Sequence, residues 1–213
     1  DIGAALVDAD LMIVDDGAGG TNRKATMARL ATYMGTKIGG GLEFIATADI
    51  SNAATVSFTG FDSSKYDSYK FTFANFLPVT DDADVYALLS VDSGSNYLAA
   101  SDSYTIVPSE HASAGDSAFI PFGYNGLSNV DGGGMTATVD VIGPHLNKRT
   151  YVYPASGMIN IADESVTPNY FNAASYGGGG QTKANTVVNA IQFKFSSGNI
   201  ASGTITMYGL VNS

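Results

Sequence analysis

The chain has 213 residues, with 20 acidic side chains against 10 basic ones and no cysteine. Its formal net charge of −10 disfavours nucleic acid and anionic membranes as partners, because binding either would bring like charges together. The lack of cysteine excludes a disulfide framework, a thiolate nucleophile and a zinc site with sulfur ligands. No apolar run approaches the roughly 20 residues of a transmembrane helix, so we expect no membrane insertion.

Residues 1–38 predict a small strand-turn-helix module. Leu11 to Val14 form a short apolar run, residues 15–22 are rich in turn-forming types, and Thr26 precedes a helical pattern that stops at Gly35. The apolar face of that helix consists of Met27, Leu30, Ala31 and Met34. Such a short amphipathic helix cannot bury its own apolar stripe. It must therefore pack against the rest of the chain, another subunit or a larger assembly, and of these we predict a contact with other subunits.

A break of three glycines, Gly39 to Gly41, follows the module, and we interpret it as a hinge. Residues 1–41 contain four bases and five acids, a net charge of −1, whereas residues 42–213 contain six bases and fifteen acids, a net charge of −9. The change in composition predicts an attachment module in residues 1–38, a hinge in residues 39–41 and one β domain in residues 42–213.

Strand signals recur throughout the predicted β domain. Apolar and more polar residues alternate in six segments, namely residues 44–50, 69–73, 85–91, 135–141, 191–195 and 204–208. In the first segment the alternation places Phe44 on the same face as Ala46, Ala48 and Ile50. Clusters of Gly, Asp, Ser and Asn separate these runs. Eight to ten strands with such turns predict a mainly β, antiparallel two-sheet sandwich, most simply a jelly roll.

Carboxylates in the turns are the first candidates for chemistry. Asp81, Asp82 and Asp84, with Asp131, Asp163 and Glu164, offer paired acids of the kind that glycosidases use, and they would support a glycan-cleaving enzyme. All of them lie in polar sequence where Asp commonly bonds its own backbone in a turn. Calcium held by Asp81, Asp82 and Asp84 is the one cofactor that we consider, because hard cations take oxygen ligands from loops.

A serine-hydrolase site is the second candidate. Gly115-Asp116-Ser117 is similar to the nucleophile blocks of some hydrolases, but no helix follows it as a nucleophile elbow requires. His111 and His145 are the only histidines, and both lie in loop-like sequence. A catalytic triad would need one of them beside Ser117. These patterns predict a protein without enzymatic activity.

Tyrosine gives the clearest hint of a binding surface. The chain has 12 Tyr and no Trp, and five of the tyrosines lie near loop residues: Tyr97, Tyr104, Tyr124, Tyr170 and Tyr176. Tyrosine in loops suits stacking on sugars or adaptable protein contacts, although it is also a routine strand residue. The predicted ligand-contact region is the loop from Thr167 to Thr182, with Tyr170 and Tyr176 stacking and Asn169 and Asn172 supplying hydrogen bonds.

Two segments resemble parts of a known class of proteins. They are VDDG followed by GTNRKAT in residues 14–26, and SGTITMYG in residues 202–209. The first resembles a connector module, and the second is similar to the closing strand of a terminal β-sandwich, in tail-fibre and related virion structural proteins of tailed bacteriophages. The resemblance covers about a fifth of the chain.

The resemblance implies a location on the exterior of the virion. It also implies a homotrimer that contacts other virion proteins through residues 1–38 and a glycan or protein on the host surface. The first hypothesis is a tail fibre or other receptor-binding component that mediates host attachment. The alternatives are a capsid decoration or head-fibre protein and, third, a glycan-cleaving depolymerase.

Replacing Tyr170 and Tyr176 together by Ala tests the loop prediction. We expect binding to host cells to weaken by about 1–3 kcal/mol, as when aromatic contacts at an interface are truncated, with little change in melting temperature. Adsorption of the double variant to host cells measures the first quantity and thermal unfolding the second. Unchanged adsorption removes these loops from the site, and a collapse of the melting temperature makes the two rings core or subunit-interface residues.

Overall fold

The fold is described from a computed structural model. The structure describes residues 5–15, 22–37, 41–107, 115–122, 126–130, 134–159, 171–172 and 178–211. The chain divides between residues 40 and 41 into two compact units, each of which is described by itself. Within the described ranges, no helix has the length and apolar character needed to cross a bilayer.

The described residues of the N-terminal unit form two antiparallel strands and one helix. Strand β1 (Leu11–Asp15) pairs with β2 (Asn22–Thr26), and α1 spans Met27–Lys37. Thr26 caps the helix, because its Oγ1 accepts a hydrogen bond from the backbone N of Arg29 at 3.3 Å.

Two details of the predicted strand-turn-helix module are wrong. Strand β2 was not predicted, because Asn-Arg-Lys-Ala-Thr contains no apolar run and becomes a strand only through its pairing with β1. Helix α1 continues to Lys37, two residues past the predicted stop at Gly35. A single glycine inside a helix costs only about 1 kcal/mol relative to alanine, so it does not have to end the helix.

The described residues of the second unit form thirteen strands, more than the eight to ten predicted. They are β3 (Leu42–Ala53), β4 (Val56–Thr59), β5 (Tyr66–Pro78), β6 (Val85–Ser90), β7 (Tyr104–Val107), β8 (Gly115–Ser117), β9 (Ile120–Pro121), β10 (Gly134–Ile142), β11 (Tyr151–Ile159), β12 (Phe171–Asn172), β13 (Gly179–Thr182), β14 (Ala190–Phe195) and β15 (Ile200–Val211). The larger sheet has the order β3-β15-β5-β10-β11-β13-β7-β8, with β12 beside β11. The smaller sheet has the order β4-β14-β6-β9.

Eight of these strands pair in the order of a jelly roll. Strand β3 pairs with β15, β4 with β14, β5 with β10 and β6 with β9, all antiparallel, so the pairs are nested like a long hairpin that has been rolled up. This nesting is the connectivity of a jelly roll. The predicted antiparallel two-sheet sandwich is therefore confirmed. The other five strands lie between β6 and β9 or between β10 and β14 in the chain, and they widen the larger sheet.

Aromatic rings fill the space between the two sheets. The ring of Phe193 in β14 lies 5.3 Å from that of Phe71 and 4.9 Å from that of Phe73, both in β5. It also contacts Phe58 in β4 and Phe122 after β9. All four contacts are edge-to-face, the arrangement that aromatic pairs favour, and none of the five rings is more than 5% exposed. This cluster, the Phe193 cluster, joins the two sheets.

A buried tyrosine connects the additional strands to the jelly roll. The hydroxyl of Tyr104 in β7 accepts a hydrogen bond from the backbone N of Leu89 at 2.8 Å and donates one to the carbonyl O of Leu98 at 2.9 Å. Burial raises the pKa of this hydroxyl further above its ordinary value, because the interior disfavours the charged phenolate. The sequence placed Tyr104 among the loop tyrosines suited to surface contacts, and that interpretation is wrong because the residue is fully buried.

The Phe193 cluster predicts where the fold is most sensitive to substitution. We expect Phe193→Ala to lower the free energy of unfolding by about 3–5 kcal/mol, because it removes the ring that touches four others and leaves a cavity between the sheets. Denaturant unfolding monitored by circular dichroism measures the loss. Phe193→Leu, which keeps an apolar side chain, serves as the graded control and loses less. A loss below about 1 kcal/mol for Phe193→Ala contradicts the central position of this ring.

Candidate functional site

The predicted ligand-contact loop lies largely outside the described residues. Asn169, Tyr170 and Tyr176 are outside them, as are His111, Asp131, Asp163 and Glu164. Asn172 lies in β12, where its backbone pairs with Met158 of β11. The segment from Thr167 to Thr182 is therefore not one continuous loop, since it contains both β12 and β13. A ligand contact by the two tyrosines stays a prediction.

Ser117 and His145 do not form a nucleophile-base pair. Ser117 lies in β8, four strands across the larger sheet from β10, the strand that precedes His145. At about 4.8 Å per strand, those two strands are about 19 Å apart. The Oγ of Ser117 accepts a hydrogen bond from the backbone N of Phe119 at 3.2 Å. His145 Nε2 lies 3.5 Å from the Oδ1 of Asp67.

The turn that carries Asp81, Asp82 and Asp84 packs against residues 126–130. Asp81 Oδ1 accepts a hydrogen bond from the backbone N of Asn129 at 3.3 Å, and Ala83 forms a β-bridge with Leu127. Burial, together with the neighbouring charge of Asp82, raises the pKa of Asp84. Within the part of the chain that the structure describes, no three acidic or histidine side chains are grouped as metal ligands. Calcium binding at this turn stays a prediction.

The N-terminal unit leaves its apolar side chains largely uncovered. Of the predicted attachment face, Met27 and Leu30 are half-buried, whereas Ala31 and Met34 are exposed. Five apolar residues in or before β1 are 37–69% exposed: Leu6, Val7, Leu11, Ile13 and Val14. None of the side chains described in residues 5–14 and 23–35 is buried. The described part of this unit therefore has no core of its own, and its apolar faces need another surface to cover them.

The larger sheet carries a second uncovered apolar surface, on the face away from the core. Two adjacent rows of side chains cross β3, β15, β5, β10 and β11 in register. The first row is Leu42, Leu210, Ser68, Ile142 and Tyr151, and the second is Phe44, Tyr208, Lys70, Asp140 and Tyr153. We call these ten residues the apolar band. Their neighbours along each strand point inward, as the buried residues Val141, Val152 and Met207 show.

The side chains of the apolar band are well exposed and carry no net charge. Six of them are 40–59% exposed: Leu42, Phe44, Ile142, Tyr151, Tyr153 and Leu210. The rings of Tyr151 and Tyr153 stack with 6.1 Å between centroids. The band's two charged residues neutralise each other, because Lys70 Nζ lies 2.5 Å from Asp140 Oδ1.

The next row on the same face is polar and limits the band. It consists of Thr47, Thr206, Thr72, Thr138 and Ala155. The hydroxyls of Thr47 and Thr206 share a hydrogen bond of 3.1 Å, and Thr47 also donates to the carbonyl O of Ile205. The apolar character therefore ends within one row and is confined to the end of the face where β3 begins.

The sequence did not predict the apolar band, because a β-bulge changes the face on which Phe44 lies. Tyr208 pairs with Phe44 and Met207 with Ala46, so Ile45 is the extra residue. Phe44 therefore points outward and is 59% exposed, whereas its predicted partner Ile50 is buried. The placement of Phe44 on the core face is wrong. Ile142 and Leu210 are apolar residues at outward positions of strands whose outer faces are otherwise largely polar. They are the feature of the sequence that could have indicated an apolar outer surface.

A scan against protein-family models and a search of curated proteins found no match for the chain. The described residues leave two apolar surfaces uncovered, and these are the features that bear on function. They are the attachment face of α1 and the apolar band.

The attachment face predicts that Leu30→Asp weakens assembly of the full chain. We expect the association constant to fall at least tenfold, because a buried, unpaired carboxylate costs several kcal/mol, while the β domain keeps its melting temperature. Light scattering across a concentration series gives the mass. Thr32→Asp, an exposed position on the other side of α1, is the matched control and should assemble normally. A wild-type chain that stays monomeric at micromolar concentration contradicts the prediction.

Proposed function

We propose that this chain is a structural protein on the exterior of a tailed-phage virion, anchored by residues 1–38 and projecting its β domain outward. The observation that carries the proposal is the contrast between the two units. The described N-terminal unit has exposed apolar faces and no buried side chain, whereas the jelly roll has a complete aromatic core. In a projecting attachment protein, one part binds the particle and the other extends from it. The N-terminal unit suits the first role because its apolar faces are exposed, and the β domain suits the second because it has its own core.

Within that class we propose a tail fibre or other receptor-binding component that recognises a glycan or protein on the host surface. The resemblance of residues 14–26 and 202–209 to tail-fibre proteins supports this choice. Jelly rolls serve as both viral capsid and lectin domains, so the fold suits the role without specifying it. We propose further that the chain acts as a homotrimer and has no catalytic activity. The strand that carries Ser117 lies four strands across the larger sheet from the strand that precedes His145. This separation supports the proposed absence of catalytic activity.

Electron microscopy of intact particles tests the location. Gold-conjugated antibody raised against the full chain should label the tip of the tail or its fibres. Label spread over the head would instead make the chain a capsid decoration or head-fibre protein, using the same anchor. Absence of label from every part of the particle, with denatured particles also negative by immunoblot, would overturn the virion assignment.

Adsorption measures the proposed activity directly. Purified full-length chain, added in excess to host cells, should compete with the phage and lower its adsorption rate, because both bind the same surface group. Protein heated above its melting temperature is the control and should not compete. Release of reducing ends from host glycan by the chain, abolished by Asp81→Asn, would replace the proposal with a depolymerase.

A further inference from the structure

We propose that the apolar band is a second contact between copies of this chain, made by the β domains and separate from the attachment face of α1. This proposal goes beyond host attachment, because it concerns how the projecting domains associate with one another. It depends on the size, chemistry and position of the band.

The size of the band fits a protein interface. At roughly 200 Å² for a fully exposed large side chain, the six side chains that are 40–59% exposed present roughly 600 Å² of surface. Each partner in a standard protein-protein interface contributes about 800 Å². The band thus supplies most of one partner's share. It also reaches the upper end of the 300–600 Å² that the largest patch on a monomer typically covers.

The chemistry of the band favours a protein partner over a sugar. A sugar site combines a stacking ring with several polar groups that hold the hydroxyls in place. The first row of the band offers Leu42, Leu210 and Ile142, and its polar side-chain groups are Ser68 and the hydroxyl of Tyr151. In the second row, Lys70 and Asp140 bind each other. The hydroxyl-rich threonine row lies outside the band.

The charge and position of the band favour a second copy as that protein. Two chains of net charge −10 repel each other, and the repulsion is least where the contacting surfaces carry no net charge, as the band does. The band also begins at Leu42, immediately after the N-terminal unit in the chain. Copies brought together by that unit would hold their bands at high effective concentration, so a contact too weak to form alone becomes occupied.

The edge of the sheet supports the same partner. Strand β3 is twelve residues long and stands at the end of the larger sheet, where, among the described strands, it pairs only with β15. Long edge strands are templates for unwanted pairing, and proteins usually cover them. The band begins on β3, so a neighbouring copy seated on the band lies beside this edge.

The test compares Ile142→Asp in the band with Val91→Asp, a control of similar exposure outside it, both in the full-length chain. Ile142 is 44% exposed and Val91 41%, so both variants should fold with near-wild-type melting temperatures. Sedimentation velocity across a concentration series gives the association constant. We expect Ile142→Asp to lower it at least tenfold and Val91→Asp to leave it unchanged.

A second measurement uses the absence of cysteine from the chain. Ile142→Cys and Val91→Cys each introduce a single thiol, whose maleimide labelling rate reports solvent access. At concentrations where the wild-type chain assembles, labelling should slow at position 142 and keep its dilute-solution rate at position 91.

Three results would overturn the proposal. They are a wild-type chain that stays monomeric at all concentrations, an assembly that Leu30→Asp dissolves but Ile142→Asp leaves intact, and equal labelling rates at positions 142 and 91. A wild-type chain that stays monomeric would also contradict the proposed homotrimer, whereas the other two results concern the apolar band alone. None of the three bears on adsorption or on the location of the chain in the particle, so host attachment is tested separately.

Discussion

The edge-to-face packing of Phe193 against the rings of β5 is the contact on which the rest of the structure depends. It joins the two sheets at their centre and fills the space between them with rings that are at most 5% exposed. Because buried side chains already fill the interior, the core of the β domain does not include the apolar side chains on the outer face of the larger sheet. The core of the β domain therefore does not account for the exposed side chains of Phe44, Ile142 and Tyr153, which belong to a patch at the upper end of the size usual for a monomer.

The N-terminal unit presents the opposite situation, with apolar faces but no buried side chain among those described. Both units thus expose apolar surface. The described part of the N-terminal unit buries none of its side chains, and the β domain has apolar residues outside its core as well as within it. The strong negative charge is carried elsewhere on the chain, since the apolar band balances Lys70 against Asp140. The charged surface disfavours non-specific association, whereas the neutral apolar surfaces are available for contacts. This combination suits a component of a larger assembly.

The sequence predicted the sandwich because core strands repeat with period two, and β5, β10 and β14 follow that pattern closely. The sequence did not predict the strands and the register that depend on pairing with a neighbouring strand and not on local composition. Strand β2 is polar and exists through β1, and β11 contains Pro154, which has no N–H to donate and weakens the strand signal. The bulge at Ile45 moved Phe44 to the other face. The apolar band combines residues from five strands, so it became visible only with the register.

Hydroxyl-radical footprinting of the full chain tests the central claim, that both uncovered apolar surfaces are contacts in an assembly. Oxidation of Met34, Phe44 and Tyr153 reports side-chain access on α1 and on the band in one experiment, in dilute and in concentrated solution. The account predicts that all three become protected as the concentration rises, while Val91 and Val187, exposed elsewhere on the β domain, do not change. Equal oxidation of the three residues at every concentration would contradict it.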